Sequence, residues 1–88
     1  MRLADFVIKF LEEKKIDTVF TVSGGGSIFL CDALYKSKKL KYIACHHEQA
    51  VAYATESYSR ARNKPGAAIV TTGPGGTNCA SGVACCWI

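Results

Sequence analysis

No charged side chain follows Lys64, so residues 65–88 form one uncharged stretch. Such a stretch invites comparison with a membrane span. Gly73-Pro74-Gly75-Gly76, together with Thr71, Thr72, Thr77 and Asn78, interrupts it well short of the roughly 20 apolar residues that a spanning helix needs. Burial against protein is the expectation that remains. The N-terminus is also without a long apolar run. Arg2, Asp5, Lys9 and Glu12 break up the region where a secretory signal would carry its hydrophobic segment, which makes the cytoplasm the expected compartment. The five cysteines, at positions 31, 45, 79, 85 and 86, include no C-x-x-C pair. Their odd number and irregular spacing argue against a disulfide framework and a zinc ribbon. Cys45-His46-His47 is the one local group with metal-ligand chemistry. Adjacent residues on a strand point to opposite faces and rarely converge on one ion, so no metal site is expected and the cysteines read as small buried apolar residues.

Two nucleotide patterns are missing as well. No G-x-x-x-x-G-K-[ST] string occurs, and Gly73-x-Gly75 lacks the third glycine of the dinucleotide fingerprint because Asn78 stands in its place. A small nucleotide-binding module is therefore the weakest functional reading. The formal net charge is +4, but the cations fall in small groups: Lys14-Lys15, then Lys36, Lys38, Lys39 and Lys41, then Arg60, Arg62 and Lys64. Each group lies at an expected element end, where cations complement helix carbonyls and stay in water. Neither a recognition motif nor interleaved aromatics accompany them, which argues against a nucleic-acid partner.

A chain of 88 residues is at most one domain. At this size folding buries only about 60–65% of the extended chain's surface, which leaves little margin of stability. Val83-Ala84-Cys85-Cys86-Trp87-Ile88 carries none of the Gly, Pro or charged residues that normally stop a helix. The expectation is a chain cut within an element, residues 1–88 being part of one domain.

What is present alternates between two periods. Leu3, Phe6, Val7, Phe10 and Leu11 recur at helical spacing opposite Asp5, Lys9, Glu12 and Glu13, predicting an amphipathic helix over residues 3–14. Thr18-Val19-Phe20-Thr21-Val22 reads as a buried strand stopped by Ser23-Gly24-Gly25-Gly26. Residues 28–35 show helical spacing at Ile28, Leu30 or Cys31, and Leu34, followed by a strand over 41–45. A third helix is predicted over 48–62, with Ala50, Ala54 and Ala61 on a side that another helix could approach closely. Asn63-Lys64-Pro65-Gly66 is a turn, residues 67–71 a third strand, and the loop over 73–78 leads into a last helix. Strands alternating with helices imply an α/β, three-layer fold with a parallel sheet flanked by helices. In such sheets ligands bind at the carboxyl ends of the strands, where residues 23–26, 46–48 and 71–78 all fall.

Alone, Glu48 is an acid in the first turn of a helix, and the glycine loop is a strand-to-helix turn. Together they form a sequence order: strand, His46-His47-Glu48, alanine-rich helix, strand, Thr71-Thr72-Gly73-Pro74-Gly75-Gly76-Thr77-Asn78. Over nearly the full chain this order resembles the N-terminal pyrimidine-binding domain of thiamine-diphosphate enzymes, most closely the acetolactate synthase-like group.

The resemblance implies a role for each matching residue. Glu48 is the expected catalytic residue, hydrogen-bonding N1′ of the aminopyrimidine and promoting the imino tautomer that removes the thiazolium C2 proton. A closed, water-poor site would favour its neutral form. Val22, Gly24, Glu48, Thr72, Pro74 and Asn78 are the expected cofactor-binding set, with Ser23 standing where the synthases commonly have Pro. His47 is either a substrate-side neighbour or, with His46, half of a pair with one side chain buried and one solvated. The implied chemistry is decarboxylation and carboligation of a 2-keto acid by thiamine diphosphate. The magnesium-binding Gly-Asp-Gly segment of such enzymes is absent from residues 1–88, so magnesium and the diphosphate would be held by another domain, and the isolated chain is not expected to be active. A homodimer or larger homo-oligomer is implied, with the cofactor between subunits. The rival is a non-catalytic truncated paralogue or association domain with the same fold.

Overall fold

The computed structural model describes residues 2–87. Helix α1 (Leu3–Glu13) starts where the Arg2 backbone N–H donates to Asp5 Oδ2 at 3.2 Å, and the chain leaves it through Lys15 in the left-handed region at φ 62°. Its buried residues are Ala4 and Ile8. Leu3, Phe6 and Phe10, three of the five residues of the apolar stripe read from the sequence, remain exposed. The stripe is wider than the face that packs: with α2 (Ile28–Lys36) as neighbour, α1 turns its small and β-branched positions inward.

Three short strands form a parallel sheet in the order β2-β1-β3, with β1 (Thr18–Thr21) in the middle, β2 (Lys41–Ala44) and β3 (Ala67–Ile69). Thr18 pairs with Lys41 on one side, and Val19 with Ala67 on the other. Every residue of β1 is buried, which is why its sequence is a continuous β-branched and aromatic run rather than an alternation. The parallel α/β sheet with its flanking helices is the fold expected from the sequence. On one face, Val19 and Ile69 join Ala4, Ile8, Cys31, Ala33, Leu34 and Leu40 in the hydrophobic core. On the other, Phe20 meets Tyr58 of α3 (Glu48–Arg62) edge-on with ring centroids 5.7 Å apart.

Two expectations about packing are corrected. Ile28 is exposed, while Cys31 and Leu34 are buried as their spacing predicts and Ala33 joins them. The close approach on α3 is made by Ala52, with Ala50 and Ala61 left exposed. Its partner is Gly82 of α5 (Ala80–Trp87), where an added Cβ would stand 2.1 Å from that of Ala52. The segment expected to be a loop before the last helix is itself a helical turn, α4 (Pro74–Asn78), with Pro74 at its first position and Gly73 ahead of it at φ 66°. Helix α3 ends on Asn63 in the left-handed conformation, whose N–H donates to the Ser59 carbonyl.

The basic groups prove to be partly paired. Arg62 Nη2 lies 2.9 Å from Asp17 Oδ2 and Lys64 Nζ 3.3 Å from the same oxygen, while Tyr58 donates its hydroxyl to the other oxygen of that carboxylate. Of the free cysteines, Cys31 and Cys79 are buried as expected, but Cys86 is exposed. Among the described residues no helix is long and apolar enough to cross a membrane, and no three His, Cys, Asp or Glu side chains are grouped to hold a metal ion.

Candidate functional site

Parallel pairing places the ends of β1, β2 and β3 along one edge, and each strand hands over there to a segment singled out in the sequence. After β2, the backbone turns at His47, which is extended at φ −152° and caps α3: its Nδ1 accepts the Gln49 N–H at 3.0 Å. Both His46 and His47 are exposed, which sets aside one of the two alternatives read from the sequence, a pair with one ring buried and one solvated. Capping explains His47, because a ring nitrogen that satisfies an orphan helix N–H must sit at the helix rim.

Glu48 follows in the first turn of α3, half-buried. Its Oε1 accepts a hydrogen bond from Asn78 Nδ2 at 3.1 Å, bringing together two expected site residues thirty positions apart. The neighbouring Cys79 points its thiol at the Glu48 carbonyl, with Sγ 3.6 Å from the oxygen. The Asn78 amide holds the Glu48 carboxyl below its usual value, its own backbone N–H adds to this, and partial burial works weakly against both. The neutral carboxyl expected from the sequence belongs to a closed site, whereas within this chain Glu48 is only half-buried. Burial and the Glu48 charge push the Cys79 thiol upward.

Beyond β1, Val22 is half-buried and its N–H donates to the Ile69 carbonyl at 3.4 Å. Gly24 then passes so close to the loop after β3 that an added Cβ would lie 2.5 Å from Thr71 Cβ. Gly26 N–H donates to Thr71 Oγ1 at 2.9 Å, and a Cβ on Gly26 would stand 2.9 Å from the hydroxyl oxygens of both Thr71 and Thr72. Gly24 and Gly26 of the first loop are thus needed for backbone approach to two threonines of the third. Pro74 and Thr72 are exposed at the same edge, and Thr77 Oγ1 returns to the Gly73 carbonyl at 3.3 Å.

Two residues outside the expected set take part. Thr71 is the hydroxyl on which the first loop rests, and Tyr35 of α2 shares a 2.8 Å hydrogen bond with Ser23 Oγ. Thr71 could have been inferred, since a Thr pair beside a glycine loop supplies the acceptors that bare backbone N–H groups need. Nothing in the spacing of Tyr35 pointed to it.

The arrangement suits a planar nitrogen heterocycle. Asn78 engages only Oε1 of Glu48, so the second oxygen is left to share a proton with a ring nitrogen when the carboxyl is protonated, and the bare glycine backbone leaves room beside it. The fold and this edge define the class as an α/β domain that gathers its loops at the carboxyl ends of its strands and presents one oriented carboxylate there.

The family description "thiamine pyrophosphate enzyme, N-terminal TPP binding domain" matches residues 1–88, and the chain belongs to that family. It is 41% identical over 81 residues to a chloroplastic acetolactate synthase of Arabidopsis thaliana, covering 92% of this chain and 12% of that protein. It is 43% identical over 84 residues to a probable acetolactate synthase large subunit of Methanococcus aeolicus, covering 96% of this chain and 14% of that protein. An acetolactate synthase of Mycobacterium avium is 37% identical over 81 residues. The chain thus spans between a tenth and a sixth of the length of these curated relatives.

Proposed function

We propose that residues 1–88 receive the aminopyrimidine of thiamine diphosphate in an acetolactate synthase-like enzyme acting on a 2-keto acid. The observation that carries this reading is the Glu48 carboxylate held by Asn78 at the carboxyl edge of the sheet. Glu48 would share its carboxyl proton with the ring nitrogen, and Asn78 keeps the carboxyl turned toward it. Val22, Gly24, Thr72 and Pro74 bound the ring with backbone and small side chains. When bound, thiamine diphosphate supplies the carbon nucleophile and electron sink that decarboxylation and carboligation require. Magnesium and the diphosphate are held outside these residues, by a second domain, and the working unit is a homodimer or larger homo-oligomer with its site between subunits.

The depressed affinity of Glu48 for a proton bears on this role. In the assembled site, loss of solvent around the carboxylate moves its proton affinity upward, toward that of a weakly basic ring nitrogen, so proton sharing is switched on by closure.

A hybrid Methanococcus aeolicus large subunit, with this chain in place of its matching segment, tests the reading. The hybrid should bind thiamine diphosphate with magnesium and form acetolactate. Glu48→Gln should leave its melting temperature unchanged and reduce turnover by roughly 10²- to 10⁴-fold, the usual range for a lost acid–base group. A hybrid that folds yet binds no cofactor would place the chain with non-catalytic association domains.

A further inference from the structure

The loop after β1 is held from two sides. On one side, Gly24 and Gly26 press against Thr71 and Thr72, and Gly26 N–H donates to Thr71 Oγ1 at 2.9 Å. On the other, Ser23 Oγ meets the Tyr35 hydroxyl at 2.8 Å. Between these two anchors the chain closes a 3-10 turn, with Ser27 N–H donating to the Gly24 carbonyl at 3.2 Å and Ser27 Oγ to the same oxygen at 3.3 Å.

Tyr35 is built to reach this point. It lies in the last turn of α2, twelve residues after Ser23, and its ring leans on Tyr42 of β2 with centroids 4.5 Å apart. Both rings are nearly half exposed, so the pair contributes little to the core. Tyr35 instead lines a groove of about 470 Å³ together with Ser23, Gly24, Ile28, Cys31 and Asp32. An exposed tyrosine braced by a second tyrosine, with its hydroxyl spent on a loop serine, fixes that loop's position rather than the fold.

We propose that Tyr35 is a positioning residue for the cofactor loop: through Ser23 it holds Gly24 and Gly26 at the site edge, so that the aminopyrimidine meets preorganised backbone. This rests on the reading of the site given above. Removing the hydroxyl leaves the Tyr42 contact in place but frees Ser23. The cost of losing one ordinary hydrogen bond corresponds to roughly a threefold to tenfold change in a local opening equilibrium.

The test compares the wild-type chain, Tyr35→Phe, Ser23→Ala and the double variant by amide hydrogen exchange at Gly26, with Leu34 and Val51 amides as reporters of the core. The same substitutions are placed in the hybrid large subunit for measurement of thiamine diphosphate affinity with magnesium. Tyr35→Phe should speed exchange at Gly26 by about threefold to tenfold, leave the core amides unchanged and weaken cofactor binding by a similar factor. In the Ser23→Ala background it should add nothing, since the partner hydroxyl is already gone. Unchanged exchange at Gly26, an effect that persists without the Ser23 hydroxyl, or faster exchange with undiminished affinity overturns the positioning role. A hybrid that fails to bind cofactor with Tyr35 intact overturns the reading of the site itself, and that result is separate because the exchange measurement needs no cofactor.

Discussion

Asn78 Nδ2 donates to Glu48 Oε1 across 3.1 Å, tying the end of α4 to the first turn of α3. The bond stabilises the ionised carboxyl, and it does so from a segment that the chain reaches only after crossing a third strand. Because the folded value lies below the ordinary 4.5, the bond's contribution to stability is present above that pH and is lost as pH falls through the folded value. Asn78→Ala should raise the Glu48 titration midpoint toward 4.5, and a carboxyl carbon NMR titration of the two proteins checks it. An unchanged midpoint would mean that the helix terminus alone holds the proton off.

Gly24 and Gly25 are neighbours with different constraints. Gly24 is extended at φ −168°, a conformation open to any residue, yet a Cβ there would lie 2.5 Å from Thr71. Gly25 has no heavy atom within 4 Å of where its Cβ would be. Gly24→Ala should therefore destabilise the fold by about 1–3 kcal/mol through overpacking. Gly25→Ala should be neutral or stabilising by up to ~1 kcal/mol, because it restricts the unfolded chain without a native clash. Urea denaturation of both variants separates the two, and equal losses would show that the loop can shift away from Thr71.

Where sequence and structure agree, local physics decides the outcome. The residues of β1 are buried on both faces, so a continuous apolar run was readable as a strand, and Glu48 at the head of α3 follows from the strand stop and the helix start beside it. The disagreements arise from tertiary neighbours. Phe6 and Phe10 carry the periodicity of α1 but lie outward because α2 covers the Ala4 and Ile8 side. Ala52 was passed over in favour of Ala50, Ala54 and Ala61, since only the position of Gly82 selects which alanine is met. The bond from Asn78 to Glu48 was not legible either, because Asn78 is thirty residues distant and composition cannot place it.

Asp17 gathers Arg62, Lys64 and Tyr58 at the opposite edge of the sheet, joining the start of β1 to the segment between α3 and β3. The hydrogen bond from Arg62 is the main cause holding its carboxyl below the ordinary 3.8, with Lys64 adding to it and partial burial opposing. The network's stabilisation is therefore present above pH 3.8 and declines as pH falls through the folded value. Asp17→Asn should lower the melting temperature at neutral pH and converge with the wild type in strong acid. The difference should shrink in high salt, since these side chains are partly exposed. Melting curves across pH and salt check it, and a difference independent of pH would show that the carboxylate charge does not carry the effect.

Gly82 meets Ala52 where α5 crosses α3, and the two backbones are close enough that an added Cβ would lie 2.1 Å from the Ala52 Cβ and 3.0 Å from the Ala52 backbone. Backbone cannot swing aside as a long side chain can, so Gly82→Ala must push the helices apart. The expected cost is about 1–3 kcal/mol from overpacking, larger than the gain in helix propensity of up to ~1 kcal/mol that the same substitution brings. Because α4 precedes α5 directly, the displacement should also reach Asn78 and lengthen its bond to Glu48. Gly82→Ala should thus raise the Glu48 titration midpoint as well as destabilise the fold, and Ala52→Gly should partly restore both. Denaturation together with the carboxyl NMR titration reads the two effects separately. Loss of stability with an unmoved Glu48 would show that α5 yields on its own, leaving α4 and the carboxylate in place.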